Sequence, residues 1–99
     1  MKYEIAKKNS FTLLSLSGDI DLHSSSELRK QILDICKTKA PLHIDLQQVS
    51  YLDSSGVACF VEAYQLSKKN NSEFCLINIS KPVMQVIKLA RLDSVFPIK

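Results

Sequence analysis

Residues 42–56 read LHIDLQQVSYLDSSG and carry the most information about how the chain folds. Their first part places Leu42, Ile44 and Leu46 in alternation with polar side chains, and a period of two indicates a half-buried strand. The polar residues 47–48 predict a turn after that strand. Residues 53–56, DSSG, come directly before apolar residues at helical spacing. The stretch therefore predicts a strand followed by a helix, the repeating unit of an α/β domain.

Hydrophobic periodicity along the rest of the chain predicts the order β-β-α-β-α-β-α-(β). The first two strands form a hairpin, and residues 18–21, GDID, lead out of the sheet. Ser24 and Glu27 have the spacing of a capping box at the start of a helix, and Pro82 suits the first turn of another. The predicted strands are at 3–6, 11–16, 42–46, 74–79 and 95–96, and the predicted helices are at 24–38, between 56 and 68, and from 80 onward.

This order predicts one α/β domain over residues 1–99. Strands that are separated by helices pair in parallel through right-handed crossovers, whereas the hairpin adds an antiparallel pair. We therefore expect a mixed sheet of four to five strands packed with three to four helices. The apolar stripe of the first helix is predicted to be Leu28, Ile32, Ile35 and Cys36.

Composition excludes several classes of function. The chain has only two glycines, Gly18 and Gly56, so it lacks a dinucleotide-binding fingerprint and a phosphate-binding loop. The net charge of +3 comes from scattered lysines, which does not favour direct binding of nucleic acid. Three widely spaced cysteines show no metal-ligand spacing and are expected in the core of a protein in a reducing compartment. Without a signal peptide or membrane-spanning stretch, we expect a cytoplasmic protein with no membrane contact.

The DSSG turn allows two interpretations. Ser54 is either the N-cap of the following helix, with Asp53 favoured by the helix dipole, or an exposed acceptor of phosphate. Amide groups and the dipole at a helix N-terminus tolerate the dianion that phosphorylation creates. Spacing alone leaves both interpretations open.

Catalysis and metal binding have weaker support. Ser54, His23 and an aspartate form the components of a hydrolytic triad, but the nucleophile elbow Gly-x-Ser-x-Gly is absent. Asp19 and Asp21 supply only two ligands for a cation and are expected in a solvated acidic loop. We therefore predict no catalytic residue, no metal and no cofactor.

Residues 42–56 resemble the signature of the STAS-domain anti-sigma-factor antagonists, in which a hydrophobic-Asp-Leu strand precedes Val-x-Phe/Tyr-hydrophobic-Asp-Ser-Ser-Gly. Residues 18–21 resemble the Gly-Glu-Leu-Asp element of that family, and residues 77–83 and 92–96 match its later landmarks. The resemblance runs in order along nearly the whole chain. It departs at Val57, where leucine is common, and at residues 90–92, ARL, where Thr-Gly-Leu is frequent.

The resemblance implies a non-enzymatic binding module. Such antagonists bind an anti-sigma factor that is also a serine kinase of the histidine-kinase-like ATPase fold, and this binding frees a sigma factor. The kinase then phosphorylates the antagonist, and a PP2C-type phosphatase restores it. By position Ser54 is the acceptor, and the partner-binding surface comprises Asp21, Asp53, Ser54, Ser55 and Gly56. The free protein is expected to be a monomer. The alternative is a structural STAS subunit of a transport or stress-sensing complex without a phosphorylation switch.

Overall fold

The chain begins with a hairpin and then alternates helices and strands. The computed structural model describes all 99 residues. Its four strands and three helices confirm the predicted α/β fold and the order β-β-α-β-α-β-α. The elements are β1 (Lys2–Lys7), β2 (Thr12–Ile20), α1 (Leu22–Lys37), β3 (Leu42–Leu52), α2 (Ser54–Lys69), β4 (Phe74–Ile77) and α3 (Lys81–Leu89).

The sheet is mixed, as predicted, with the strand order β1-β2-β3-β4. β1 pairs antiparallel with β2, whereas the β2–β3 and β3–β4 pairs are parallel. At the carboxyl ends of the two central strands Ile20 pairs with Leu52. After these paired residues the chain enters α1 and α2. Both helices therefore begin at the same end of the sheet, where the carboxyl ends of β2 and β3 lie.

The hydrophobic core lies between one face of the sheet and the helices. The predicted stripe of α1 is confirmed, because all four of its residues are buried. In α2 Cys59, Phe60 and Ala63 are buried, whereas Val57 and Val61 are only half-buried. The cysteines of the chain are free and buried, as expected of core residues.

Two predicted boundaries are wrong because the central strands tolerate irregular pairing. Residues 18–20 do not leave the sheet but complete β2, and Gly18 has a φ of +83° beside a shift in register. A side chain is rarely compatible with that backbone conformation, which explains the glycine there. Gln47 and Gln48 likewise do not form a turn. They lie inside β3 at a β-bulge, where the one residue between Ser15 and Ser17 of β2 opposes two residues of β3.

The predicted last strand at residues 95–96 is also wrong. These residues lie in a turn, and Phe96 packs its ring edge-on against Tyr64 and Phe74 in the core. The single pairing near the C-terminus joins Ile98 to Leu76. β4 ends at Ile77, two residues earlier than predicted, because Asn78 adopts a left-handed conformation with a φ of +51°.

Candidate functional site

The start of α2 is organised by the carboxylate of Asp53. Asp53 is the N-cap, and its Oδ1 accepts hydrogen bonds from the backbone N–H of Ser55 at 3.0 Å and of Gly56 at 3.3 Å. The hydroxyl of Ser55 donates a third hydrogen bond to the same oxygen. The interpretation of Ser54 as the N-cap is therefore wrong. The aspartate occupies that position and places Ser54 at the first position of the helix.

These hydrogen bonds keep Asp53 ionised. The Ser55 hydroxyl is the largest cause of a lowered pKa of the Asp53 carboxyl, and backbone N–H groups of Gly56, Ser55 and Leu22 lower that pKa further. Partial loss of solvent acts in the opposite direction. Leu22 is the first residue of α1, so the start of the neighbouring helix also favours the ionised form of Asp53. One negative charge thus lies between the starts of the two helices.

The two serines of the turn differ in chemical availability. Ser54 is exposed, and its hydroxyl forms no hydrogen bond within the protein. Ser55 is half-buried, and its hydroxyl is engaged by Asp53. Of the pair, Ser54 presents the free hydroxyl to an approaching molecule.

Gly56 supports this turn from below. It is buried, and a Cβ at this position would lie 2.4 Å from Leu52 Cδ1 and 2.7 Å from Ile20 Cγ2. Both distances are shorter than van der Waals contact, so only glycine lets α2 start this close to the ends of β2 and β3. The resemblance implies that Gly56 belongs to the partner-binding surface, but in the structure Gly56 is buried beneath the exposed turn.

Asp21 has the matching role at the start of α1. Its Oδ1 accepts hydrogen bonds from the backbone N–H of His23 at 3.0 Å and of Ser24 at 3.2 Å, and Ser24 Oγ accepts one in return from the Asp21 N–H. This is a capping box between Asp21 and Ser24, so the predicted box between Ser24 and Glu27 is wrong. Glu27 instead accepts a hydrogen bond from the Tyr3 hydroxyl. Asp21 is therefore part of the helix start rather than of a free acidic loop.

The pairing of β2 with β3 brings the two helix starts together. The backbone N–H of Asp53 donates to the carbonyl of Ile20 at 3.1 Å, which places the residues after Ile20 and Leu52 side by side. Asp21, Asp53 and Ser54 thus share one surface. His23 lies at the same end of the sheet, in the first turn of α1. No hydrogen bond joins its ring to Ser54 or to either aspartate, so the three residue types do not form a catalytic triad.

Leu22 also belongs to this surface, although it is not among the residues predicted from the sequence. Its side chain is 73% exposed at the first position of α1, directly after Asp21. The signal was present in the sequence, because Leu22 is apolar yet lies off the stripe that α1 buries. An exposed leucine beside two aspartates gives the surface both apolar and acidic character. No helix of the protein has the length and apolar content that a membrane crossing requires.

Comparisons with known proteins agree with this architecture. The family model of the STAS domain matches residues 2–99. The anti-sigma-B factor antagonist of Bacillus subtilis is 29% identical over 85 residues, which cover 86% of this chain and 78% of that protein. The crystal structure of an anti-sigma factor antagonist from Mycobacterium paratuberculosis superposes with a TM-score of 0.89 at 26% identity, covering 98% of this chain and 83% of that one.

A third similar structure is that of the Bacillus cell fate determinant SpoIIAA in its phosphorylated form. Its TM-score is 0.77 at 18% identity, over 99% of this chain and 91% of that one, and at this identity it shows the shared fold. The match of the family model over nearly the whole chain, together with these relatives, establishes the family. The chain belongs to the STAS-domain family of non-enzymatic regulatory binding proteins, among the anti-sigma factor antagonists.

Proposed function

We propose that the protein is an anti-sigma-factor antagonist that phosphorylation of Ser54 switches off. In its unphosphorylated form it binds an anti-sigma factor that is also a serine kinase of the histidine-kinase-like ATPase fold, and a sigma factor is released. A PP2C-type phosphatase reverses the modification. The observation that carries this proposal is the free, exposed hydroxyl of Ser54 beside the engaged hydroxyl of Ser55.

The electrostatics of the turn support a switch at this position. A phosphate adds about −1.5 to −2 charge at neutral pH. The N–H groups of Ser55 and Gly56 are already occupied by the Asp53 carboxylate, so the new dianion has no vacant amide of this pair to bind. The phosphate therefore stays in water next to an ionised aspartate, and negative charge accumulates on one small surface.

The same geometry supports the proposed partner-binding surface. Leu22 and Ser54 are exposed, Asp21, Asp53 and Ser55 hold the two helix starts in shape, and Gly56 lies beneath the turn of α2. A partner that covers the exposed Leu22 must also exclude water from Ser54. A hydrated phosphate at that point opposes such contact, whereas the hydroxyl is easily accommodated. The fold itself need not change, because the exposed Ser54 hydroxyl makes no hydrogen bond that the modification would break.

Phosphate mapping tests the proposed acceptor. The protein is incubated with ATP and each histidine-kinase-like anti-sigma factor of its host, and the product is analysed by mass spectrometry. We expect one phosphate on Ser54, none on the Ser54→Ala variant, and continued labelling of the matched Ser55→Ala control. Labelling of the Ser54→Ala variant would show that another residue is the phosphate acceptor. No labelling by any such kinase would instead favour a structural STAS subunit.

Calorimetric titration of the kinase tests the switch itself. Ser54→Asp, which introduces part of the phosphate charge, is expected to weaken binding at least ~10-fold, or about 1.4 kcal/mol. Ser54→Ala is expected to bind close to wild type, since it adds neither charge nor bulk. Equal affinity of all three proteins would contradict a role for charge at this position.

A further inference from the structure

A cluster of three different donor side chains lies on β3 and at β4, away from the helix starts. A ring nitrogen of His43, a carboxylate oxygen of Glu73 and the sulfur of Cys75 all lie within 4.8 Å of one another. We propose that these three residues bind a divalent transition-metal ion such as Zn²⁺. Nothing in the sequence spacing suggests this site, because His43 is thirty residues from Glu73.

The sheet holds the three side chains in place. His43 and Cys75 are register partners on the parallel strands β3 and β4, which lie roughly 4.8 Å apart. Glu73 is two residues before Cys75 and so points to the same face of the sheet. Its carbonyl accepts a hydrogen bond from the N–H of Leu42 at 2.9 Å, which fixes its backbone as well. The donors are therefore arranged before any ion arrives.

Burial gives the site one side open to solvent. Cys75 is fully buried, the His43 side chain is 12% exposed, and that of Glu73 is 53% exposed. The ring of Phe11 stacks on the imidazole of His43 with centroids 4.1 Å apart, and this contact fixes the plane of the imidazole. A metal bound by the three donors would keep a further position for water on the Glu73 side. Three protein ligands with one open position is an arrangement that Zn²⁺ accepts.

The donor set selects the class of metal. Imidazole and thiolate are ligands for Zn²⁺, Co²⁺ and related ions, whereas Mg²⁺ and Ca²⁺ require oxygen ligands. Only Glu73 supplies oxygen here, so the hard cations are disfavoured.

An ion that binds here must displace contacts that Glu73 already makes. Glu73 hydrogen-bonds to His43, and the ammonium of Lys99 lies 3.6 Å from the same Glu73 oxygen.

Titration with Co²⁺ under reducing conditions tests the site, because a cobalt–thiolate bond gives a charge-transfer absorption in the near ultraviolet. We expect this band in the untagged wild-type chain and its loss when Zn²⁺ is added. Cys75→Ser is expected to abolish the band, whereas Cys36→Ser and Cys59→Ser, which alter the other two buried cysteines, retain it. Absence of the band in large molar excess of Co²⁺, or its persistence in Cys75→Ser, would overturn the proposal.

Two exposed positions keep the test decisive if Cys75→Ser does not fold. Glu73→Gln is expected to lower the Co²⁺ affinity at least ~10-fold, which is the loss seen even for residues that only support a metal ligand. Lys99→Gln is expected to raise the affinity, because it removes an ammonium that competes for Glu73. An ion-pair cluster without metal-binding capacity would show no Co²⁺ affinity in any of these proteins. His43 and Ser54 lie near opposite ends of β3, so Ser54 phosphorylation is expected to be the same with and without Zn²⁺.

Discussion

The starts of α1 and α2 lie side by side and are built on the same plan with different residues. Each helix follows the carboxyl end of a central strand, and each is capped by an aspartate that accepts two backbone hydrogen bonds. The three positions after the cap are Leu22, His23 and Ser24 in α1, and Ser54, Ser55 and Gly56 in α2.

The third of these positions shows how the two starts differ. In α1, Ser24 returns a hydrogen bond to the capping residue and closes a capping box. In α2, Gly56 lies against Leu52 and Ile20, and the cap is held by the Ser55 hydroxyl instead. The first helix is therefore stabilised by its own polar side chains, whereas the second depends on close contact with the sheet. The same capping residue thus serves two arrangements, and among the three positions compared in each helix only Ser54 has a serine hydroxyl without a hydrogen bond.

Replacement of Gly56 should give the largest difference in stability between the two helix starts. Gly56→Val is expected to lower the free energy of unfolding by about 2–3 kcal/mol, because the new side chain overlaps the buried Leu52 and Ile20. Ser24→Ala, at the equivalent position of α1, should cost only ~1 kcal/mol, because it removes the hydroxyl that closes the capping box but creates no overlap in the core. Urea denaturation followed by circular dichroism measures both values. Equal losses would mean that α2 is not pressed against the sheet.

Removal of each cap should give the next largest effect. Asp53→Ala is expected to lower the melting temperature more than Asp21→Ala, since Asp53 also faces the backbone N–H of Leu22 on the other helix. The matched Asp53→Asn variant retains an oxygen acceptor and should recover most of the loss. Thermal melts at neutral pH compare the three variants. A larger loss in Asp21→Ala would show that the capping box, and not the link between helices, matters more.

The Asp53 cap should also respond to acid. The pKa of the folded-state carboxyl is lowered, chiefly by the Ser55 hydroxyl, so its ionised form stabilises the protein above the unfolded-state pKa of ~3.9. That contribution is lost as the pH falls through the lower folded-state pKa. The difference in melting temperature between wild type and Asp53→Asn is therefore expected to be constant near neutral pH and to change below about pH 4. A difference that stays constant down to about pH 2 would contradict the lowered pKa.

The smallest effects on stability are expected at the first helical positions. Leu22 and Ser54 are both exposed, so Leu22→Ala and Ser54→Asp should each change the free energy of unfolding by less than ~0.5 kcal/mol. If these residues form the proposed partner surface, both variants should nevertheless weaken binding to the kinase. A large loss of stability in either variant would show a structural role that the exposed positions do not suggest.

Most of the fold could be predicted from the sequence because its hydrophobic patterns are regular. Alternation predicted the strands, and the stripe of α1 predicted its buried face. The errors lie where tertiary contacts override a local signal. A polar pair, Gln47 and Gln48, is absorbed by a bulge within a long strand, and the apolar Phe96 enters a turn because its ring fills the core.

The position of the site could be predicted from the sequence, but its hydrogen bonds could not. The Asp-Ser-Ser-Gly pattern located the turn, yet aspartate and serine are both good N-caps, so local chemistry could not assign the role to Asp53. The close contacts of Gly56 depend on β2, which is distant in sequence. The donors at His43 and Cys75 meet for the same reason, through the register of two strands.

The two edges of the sheet are protected in different ways. The β4 edge is covered by the segment around Ile98, whose neighbours Pro97 and Lys99 exchange backbone hydrogen bonds with Leu76. The outer edge of β1 has no strand beside it, and it carries the charges of Lys2, Glu4 and Lys7. Charged side chains on an open edge discourage the addition of a foreign strand, so the sheet is guarded against aggregation on the one side where its backbone is unpaired.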